Sequence, residues 1–384
     1  MVDVNSGKKY TFFKVIRYST VGVFSLLLFV SFVTGGWLYF ERQAKVETLK
    51  ITGMNGIDQL EAPMINGARQ WVQIRGEDKE NPVILFIHGG PGNAMMPLNA
   101  MFQPLWEEDF TVVQWDQRGA GKSVSDPYSG APIPMGSDIQ QYVDDAVEVA
   151  QYVLSETGHQ KLIVIGHSWG SVVGVGLAQQ RPDLLHAYVG TGQVVDMLET
   201  ERATFEMALA EARLLENEEA IAELEAIQPY PQSTVSEKDD LKMLDIFMTS
   251  RLWAGALLQE GRASEGNFLA AIFTNPAYSI SEAVNLLFGY VNFDAPEKTH
   301  MLRVLMTTDI TTQLLGLQVP VVFLEGRHDH ITESSLIYKA FEKISSKEKS
   351  FHWLEDSGHL SMIQEPELFR DLLVQHVRPY AFRE

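Results

Sequence analysis

The sequence predicts an α/β protein: a mostly parallel central sheet flanked by helices, with an all-helical segment inserted between its earlier and later strands and an apolar helix ahead of them all. Three observations carry this reading. Short, nearly unbroken apolar runs such as Val83–Ile87 and Leu162–Ile165 alternate with stretches of helical periodicity, the pattern of strands buried on both faces. From Met197 to about Gln313 the strand pattern stops, over a length far beyond ordinary loops. Finally, no charge occurs between Tyr18 and Phe40, and about 20 apolar residues suffice to span a bilayer as a helix.

The elements follow in order. Lys8, Lys9, Lys14 and Arg17 precede the uncharged run, Glu41, Arg42 and Lys45 follow it, and Trp37 and Tyr39 stand near its far end. The basic flank places the N-terminus in the cytoplasm and the aromatic rings at an interface. A cleaved signal peptide is the rival reading, but its apolar region runs about 7–15 residues and ends at small residues, whereas this run ends in "WLYFER". Strand-like stretches at Leu60–Ile65 and Gln70–Ile74 are separated by Asn66-Gly67-Ala68, a hairpin signal, and Pro63 confines the first to a sheet edge. Val83–Ile87 is a strand, Met95–Leu105 a helix, and Phe110–Trp115 a strand. Val143, Ala146, Val147, Ala150 and Val153 recur at helical spacing within Tyr142–Leu154. Lys161–Gly166 and His186–Gly190 are strands on either side of a small-residue helix, Ser171–Ala178. Met197–Ile227 is helical and rich in glutamate, for which a solvated face is the plain explanation. Val319–Gly326 is a buried strand, "FHWLEDSGH" closes another, and Glu365–Val377 is a final helix.

The chain has 384 residues, 45% of them hydrophobic and 21% charged, with a net charge of −20. That is enough apolar material for a large core, and too acidic for a nucleic-acid partner, which demands a basic face. There are no cysteines, so disulfides, thiolate metal sites and a cysteine nucleophile are excluded. The basic tail and acidic remainder suit a globule tethered to a membrane yet repelled by anionic lipid.

The chemistry-bearing motif is "GHSWGS" at 166–171, at the end of an apolar strand and the start of a small-residue helix. G-x-S-x-G in that setting places a serine on a sharp turn, exposed above the sheet at a helix N-terminus. Ser168 is the candidate nucleophile. A base and an orienting acid then follow in the order acid, histidine. Asp329, beyond the strand in "VVFLEGRHDH", is the candidate acid, with Glu325 at the strand end as runner-up; His359 in "WLEDSGH" is the candidate base. His328 and His330 flank Asp329, but consecutive residues do not converge on one metal, and no metal site is expected. The early stretch His88-Gly89-Gly90-Pro91-Gly92 offers bare backbone after a strand. An oxyanion needs two N–H donors; Gly90 and Trp169 are the candidates, Pro91 having no N–H. No cofactor is needed for such chemistry.

Taken together, "HGGPG" at 88–92, "WDQRGAGKS" at 115–123, "GHSWGS", "GRHD" at 326–329 and "DSGH" at 356–359 resemble the proline iminopeptidase branch of the α/β-hydrolase superfamily. The resemblance implies an α/β-hydrolase fold and removal of an N-terminal residue, often proline, from short peptides. It maps the nucleophile to Ser168, the acid to Asp329, the base to His359 and the oxyanion donors to Gly90 and Trp169. It implies that the helical insertion, residues 197–316, forms a cap between core segments 46–196 and 317–384. The uncharged run and its basic flank, not the resemblance, make 1–45 a cytoplasmic tail and transmembrane anchor with the catalytic part outside the cytoplasm. Family caps carry glutamates, often after tryptophan, that bind the substrate amine. Here Trp253 precedes alanine, and Glu199 and Glu206, seven residues apart and so on one helix face, are the candidates, with Glu201 on another face. The expected function is an acyl-enzyme serine hydrolase of aminopeptidase type acting on a small molecule or short peptide. A carboxylesterase or lactonase with the same triad is the alternative, and a non-catalytic binding protein the third reading.

Overall fold

The structure, a computed structural model, describes residues 32–231, 240–259, 267–291 and 296–383. Ten strands are described: β1 (Ile57–Glu61), β2 (Met64–Ile65), β3 (Ala68–Arg69), β4 (Val72–Gly76), β5 (Val83–Ile87), β6 (Thr111–Trp115), β7 (Leu162–His167), β8 (Leu185–Thr191), β9 (Val321–Gly326) and β10 (Lys349–Leu354). Eight of them form one sheet in the order β1-β4-β6-β5-β7-β8-β9-β10. From β6 to β10 every pairing is parallel, and β4 runs against both of its neighbours. β2 and β3 make a separate hairpin around Asn66-Gly67, both residues at positive φ, the geometry that a two-residue turn of this kind requires. The sequence expectation joined the flanking strands directly through this turn. Instead Pro63 ends β1 early, the hairpin is an excursion, and β1 then pairs β4 antiparallel.

The parallel strands are apolar throughout because both faces are covered. Val83, Leu85 and Ile87 of β5 point into one core with Leu162 and Val164, while Ile84 and Phe86 point into the other with Ile163 and Ile165. The first core is closed by α2 (Ile139–Thr157) and α3 (Trp169–Gln180). α2 begins where the Asp138 side chain accepts from the Gln141 N–H and ends at Gly158 in the left-handed region; a cap of this kind contributes about 1 kcal/mol. The predicted helix at Met95–Leu105 is instead two 3₁₀ turns, Met96–Met101 and Gln103–Leu105. Pro97 and Pro104 each start a turn, and a proline N cannot continue an α-helix.

The inserted segment is helical, as the sequence indicates, but it is not one unit. α4 (Met197–Leu214), α5 (Glu218–Ala226) and α6 (Asp240–Leu257) share a small core of their own built on Phe205, Leu209, Leu224 and Ala254. α7 (Phe268–Thr274) and α8 (Ile280–Val291) join one face of the sheet through Ile272, Ala283 and Leu286, and α9 (Pro296–Met306) and α10 (Thr311–Leu315) join the other through Met301, Leu305 and Leu314. α11 (Ser334–Lys343), α12 (Ser361–Gln364) and α13 (Pro366–Leu372) complete the described α-helices.

Ahead of the sheet, residues 32–48 form a helix, here α1. Most of the predicted membrane span lies outside the described residues. Among the described residues no helix is long and apolar enough to cross a membrane. Phe32, Tyr39 and Phe40 on α1 are exposed, and Arg42 fixes the helix to the body by donating to the carbonyls of Phe273 (2.8 Å) and Tyr278 (2.5 Å).

Candidate active site

Order reverses at β5: the chain passes from it to β6 on one side and then to β7 on the other. In open α/β sheets, sites form beyond the carboxyl ends of strands at such a reversal. Both early motifs sit there. His88-Gly89-Gly90 leaves β5, Ser168 leaves β7, and the two strands are paired with Ile87 opposite Gly166.

Ser168 is the N-cap of α3 with φ 54° and ψ −125°, a strained conformation for a residue with a side chain. The flanking glycines are dictated by contact. A Cβ on Gly166 would lie 2.6 Å from the Ser171 Cα, and one on Gly170 2.0 Å from the Ile87 carbonyl oxygen. The turn is pinned by the Ser168 N–H donating to the Thr191 carbonyl (3.1 Å) and by the Ser171 hydroxyl donating to the Ser168 carbonyl (2.6 Å). Ser168 remains partly accessible while its neighbours are buried.

The glycine stretch after β5 lies directly against this turn. A Cβ on Gly89 would come 3.0 Å from the Ser168 Cβ and 3.1 Å from the His167 Nδ1. Gly90 and Gly92 have φ of 123° and 86°, values open to glycine alone without strain. His88 is buried; burial lowers its pKa to about 4, so it is neutral, and its ring ties the loop together. Its Nδ1–H donates to the Gly89 carbonyl (2.8 Å), and its Nε2 accepts from the Gln117 N–H (3.2 Å). The Gln117 amide donates to the His88 carbonyl (2.8 Å) and accepts from the Trp169 indole (3.1 Å). One glutamine of the "WDQRG" motif therefore clamps the β5 loop to the first residue of α3. Arg118 beside it makes a two-pronged buried ion pair with Asp145 (2.5 and 2.9 Å).

Asp329 follows β9, fully buried. Its Oδ1 accepts from the N–H groups of Ile331 (2.8 Å) and Thr332 (3.0 Å), and its Oδ2 from the Thr332 hydroxyl (2.7 Å) and His359 Nδ1–H (2.9 Å). Burial pushes this carboxyl up, but the charge and hydrogen bond of His359 together with the Thr332 donors outweigh it and hold Asp329 well below the usual carboxylate range. The His359 ring rests on Gly192, where a Cβ would be 2.9 Å from its Cε1. It also lies 4.8 Å, centroid to centroid, from His167, whose Nε2–H donates to the His359 carbonyl (3.0 Å). The candidate base thus adjoins the serine turn. Glu325, the runner-up acid, instead accepts from the N–H groups of Gly192 (2.8 Å) and Gln193 (3.2 Å).

The structure places the two amine candidates on the outer face of α4. Glu199 and Glu206 are exposed, and Glu199 pairs with Arg202 one turn on. The face of α4 that turns inward carries Thr200, Glu201 and Thr204. Glu201 is the buried carboxylate, ion-paired with Arg251 and accepting from the Tyr230 hydroxyl (2.5 Å). Its partners, Tyr230 and Arg251, are distant in sequence and carry no local signal, so helical periodicity alone offers no means of preferring Glu201. Gly192 and Gln117 were missed likewise, although Gln117 sits within a motif quoted for the resemblance.

Residues 82–222 match the family model described as alpha/beta hydrolase fold. The Bacillus subtilis protein named "Probable aminopeptidase YbaC" is 30% identical over 319 residues, 82% of this chain and 94% of the relative. Neisseria gonorrhoeae proline iminopeptidase is 34% identical over 124 residues, 31% of this chain and 36% of the relative. Among solved structures, the Mycobacterium smegmatis proline iminopeptidase superposes with a TM-score of 0.56 at 19% identity, covering 84% of this chain and 99% of that one, a likeness of fold. With the site geometry and a relative matched along nearly its whole length, the chain belongs to the α/β-hydrolase superfamily, in its proline iminopeptidase-like branch.

Proposed function

We propose that this hydrolase is an aminopeptidase that releases the N-terminal residue of short peptides through an acyl-enzyme. Ser168 attacks the scissile carbonyl. His359, with Nδ1–H committed to Asp329, takes the serine proton on Nε2 and returns it to the leaving amine. The N–H groups of Gly90 and Trp169 stabilise the oxyanion; that of Trp169 is the first of α3, where helix N–H groups lack intrahelical partners. Water then releases the acyl group by the same route. The observation that carries this reading is the 2.9 Å contact between His359 and Asp329 beside the strained Ser168 turn. The aminopeptidase specificity is supported by the relative matched over 94% of its length.

In this reading α4–α6, with a core of their own, form the cap, and residues 1–45 anchor the chain in the cell membrane with the catalytic part outside the cytoplasm. The uncharged run Tyr18–Phe40 with its basic flank supports the anchor. A carboxylesterase or lactonase is favoured by one observation: Glu199 and Glu206 are exposed and Glu201 is already paired, so none of the three is a buried carboxylate without a partner.

The test is turnover of one aminoacyl amide with a free and with an acetylated amine, beside a p-nitrophenyl ester, in wild-type and Ser168→Ala protein. Strong preference for the free amine, and loss of about a million-fold in kcat with alanine, are expected. Equal turnover of both amides leaves the esterase; activity within about tenfold of wild type in Ser168→Ala removes the nucleophile assignment.

A further inference from the structure

The inserted helices touch the catalytic apparatus at one place that the mechanism above does not use. Two peptide units follow Asp329, one joining His330 to Ile331 and one joining Ile331 to Thr332. Their N–H groups are the two donors to Asp329 Oδ1. Their carbonyls, on the opposite edges of the same planar units, are both held by Arg251 of α6: Nη1 donates to the His330 carbonyl (3.1 Å) and Nη2 to the Ile331 carbonyl (2.9 Å). The Thr204 hydroxyl of α4 donates to the His330 carbonyl as well (2.8 Å). Arg251 is in turn held by Glu201, which is fully buried and bonded to Tyr230.

A buried ion pair is weak evidence for stability, because desolvation offsets the attraction and apolar residues can fill the same space. What it supplies is orientation. A guanidinium fork grips two carbonyls in a fixed relation, and a donor on a carbonyl polarises the N–H of the same peptide, strengthening the bond that N–H donates.

Resting on the assignment of Asp329 as the acid, we propose that the Glu201–Arg251 pair is the positioning unit by which the inserted helices aim the two N–H donors that hold Asp329 against His359. Neither residue is catalytic: each acts through the backbone of the acid loop. The other titratable groups around Asp329 and His359 are Glu325 at the end of β9, His167 at the end of β7 and the His330–Glu333 pair (3.2 Å). Arg251 is the cation supplied by the insertion. Its removal frees the donors, which leaves Asp329 less well solvated and favours the protonated imidazole; in a variant that neutralises Glu201 as well, the two lost charges offset each other and this effect remains.

The test compares full-length wild type with the neutral pair Glu201→Gln/Arg251→Met, which leaves no buried carboxylate unpaired, and with Arg251→Lys, Thr204→Val and Asp329→Asn. The neutral pair is expected to lower kcat by on the order of ten- to a hundredfold with KM little changed, and to move the acidic limb of kcat/KM to higher pH. Arg251→Lys retains the charge but not the fork, so kcat falls and the limb moves the same way by less; it also serves if the neutral pair does not fold. Thr204→Val removes one bond without charge and leaves the limb where it is. A wild-type limb and kcat in the neutral pair, or in Arg251→Lys if only that variant folds, overturn the proposal while an inactive Asp329→Asn keeps the triad. Full activity in Asp329→Asn overturns both.

Discussion

Asp329 and Glu325 are two buried carboxyls at the end of β9, and their surroundings drive them in opposite directions. Four donors, one on His359, keep Asp329 ionised. Burial, followed by the nearby charge of Asp329, raises Glu325 well above the usual range, only partly offset by the N–H groups of Gln193 and Gly192. The first is suited to stabilise an imidazolium, the second to shape the Gly192 turn on which the imidazole rests. Asp329→Asn is therefore expected to lose about 10⁴-fold in kcat, by the logic of an orienting carboxylate. Glu325→Gln gives up one of two accepted hydrogen bonds, about 1 kcal/mol, and should keep activity within about tenfold. Steady-state rates on one substrate decide between them; greater damage from Glu325→Gln would reverse the two roles.

At the scale of elements, α1 is tied to the α7–α8 corner by the Arg42 side chain. Removing residues 1–31 leaves this contact intact, whereas removing 1–45 strips two carbonyls of their donor. The shorter deletion should retain the thermal midpoint of the body and the longer one lower it by a few °C, about what 1–2 kcal/mol gives in a large domain. Equal midpoints would mean that Arg42 contributes nothing in solution. The strands β5 to β9 were legible in the sequence almost to the residue, because strands buried on both faces must be apolar at every position and short. The Ser168 and Asp329 motifs were legible because each follows such a strand. What could not be read were contacts closed by distant residues: the Arg251 fork onto the acid loop, and which face of α4 turns inward. Periodicity placed Glu199 and Glu206 together but gave no sign of which face turned toward α5, α6 and the acid loop. It also smoothed over the prolines that divide 96–105 into two turns.

For the molecule as a whole, the two carboxyls leave opposite marks on stability. A lowered carboxyl contributes stability that is complete above the unfolded carboxylate pKa of about 3.9 and is lost as pH falls toward its native value; this is Asp329. A raised one is protonated when folded and ionised when unfolded. Between the unfolded value near 4.3 and its native pKa it costs up to about 1.4 kcal/mol per pH unit as pH rises, and this is Glu325. Urea denaturation of wild type and Glu325→Gln across this range should give a difference curve that slopes toward the variant as pH rises, and a flat one would mean that Glu325 is ionised in the native state. The Arg251 fork has a different consequence, for inheritance. α4–α6 carry a core of their own and look exchangeable, so recombination between relatives could bring new substrate selectivity to an unchanged sheet. Yet the segment grips the backbone of residues 330 and 331 from outside. A chimera that takes α4–α6 from a donor lacking both Glu201 and Arg251 counterparts should fold and still be slow, until the acid loop that matches the donor helices is transplanted with them.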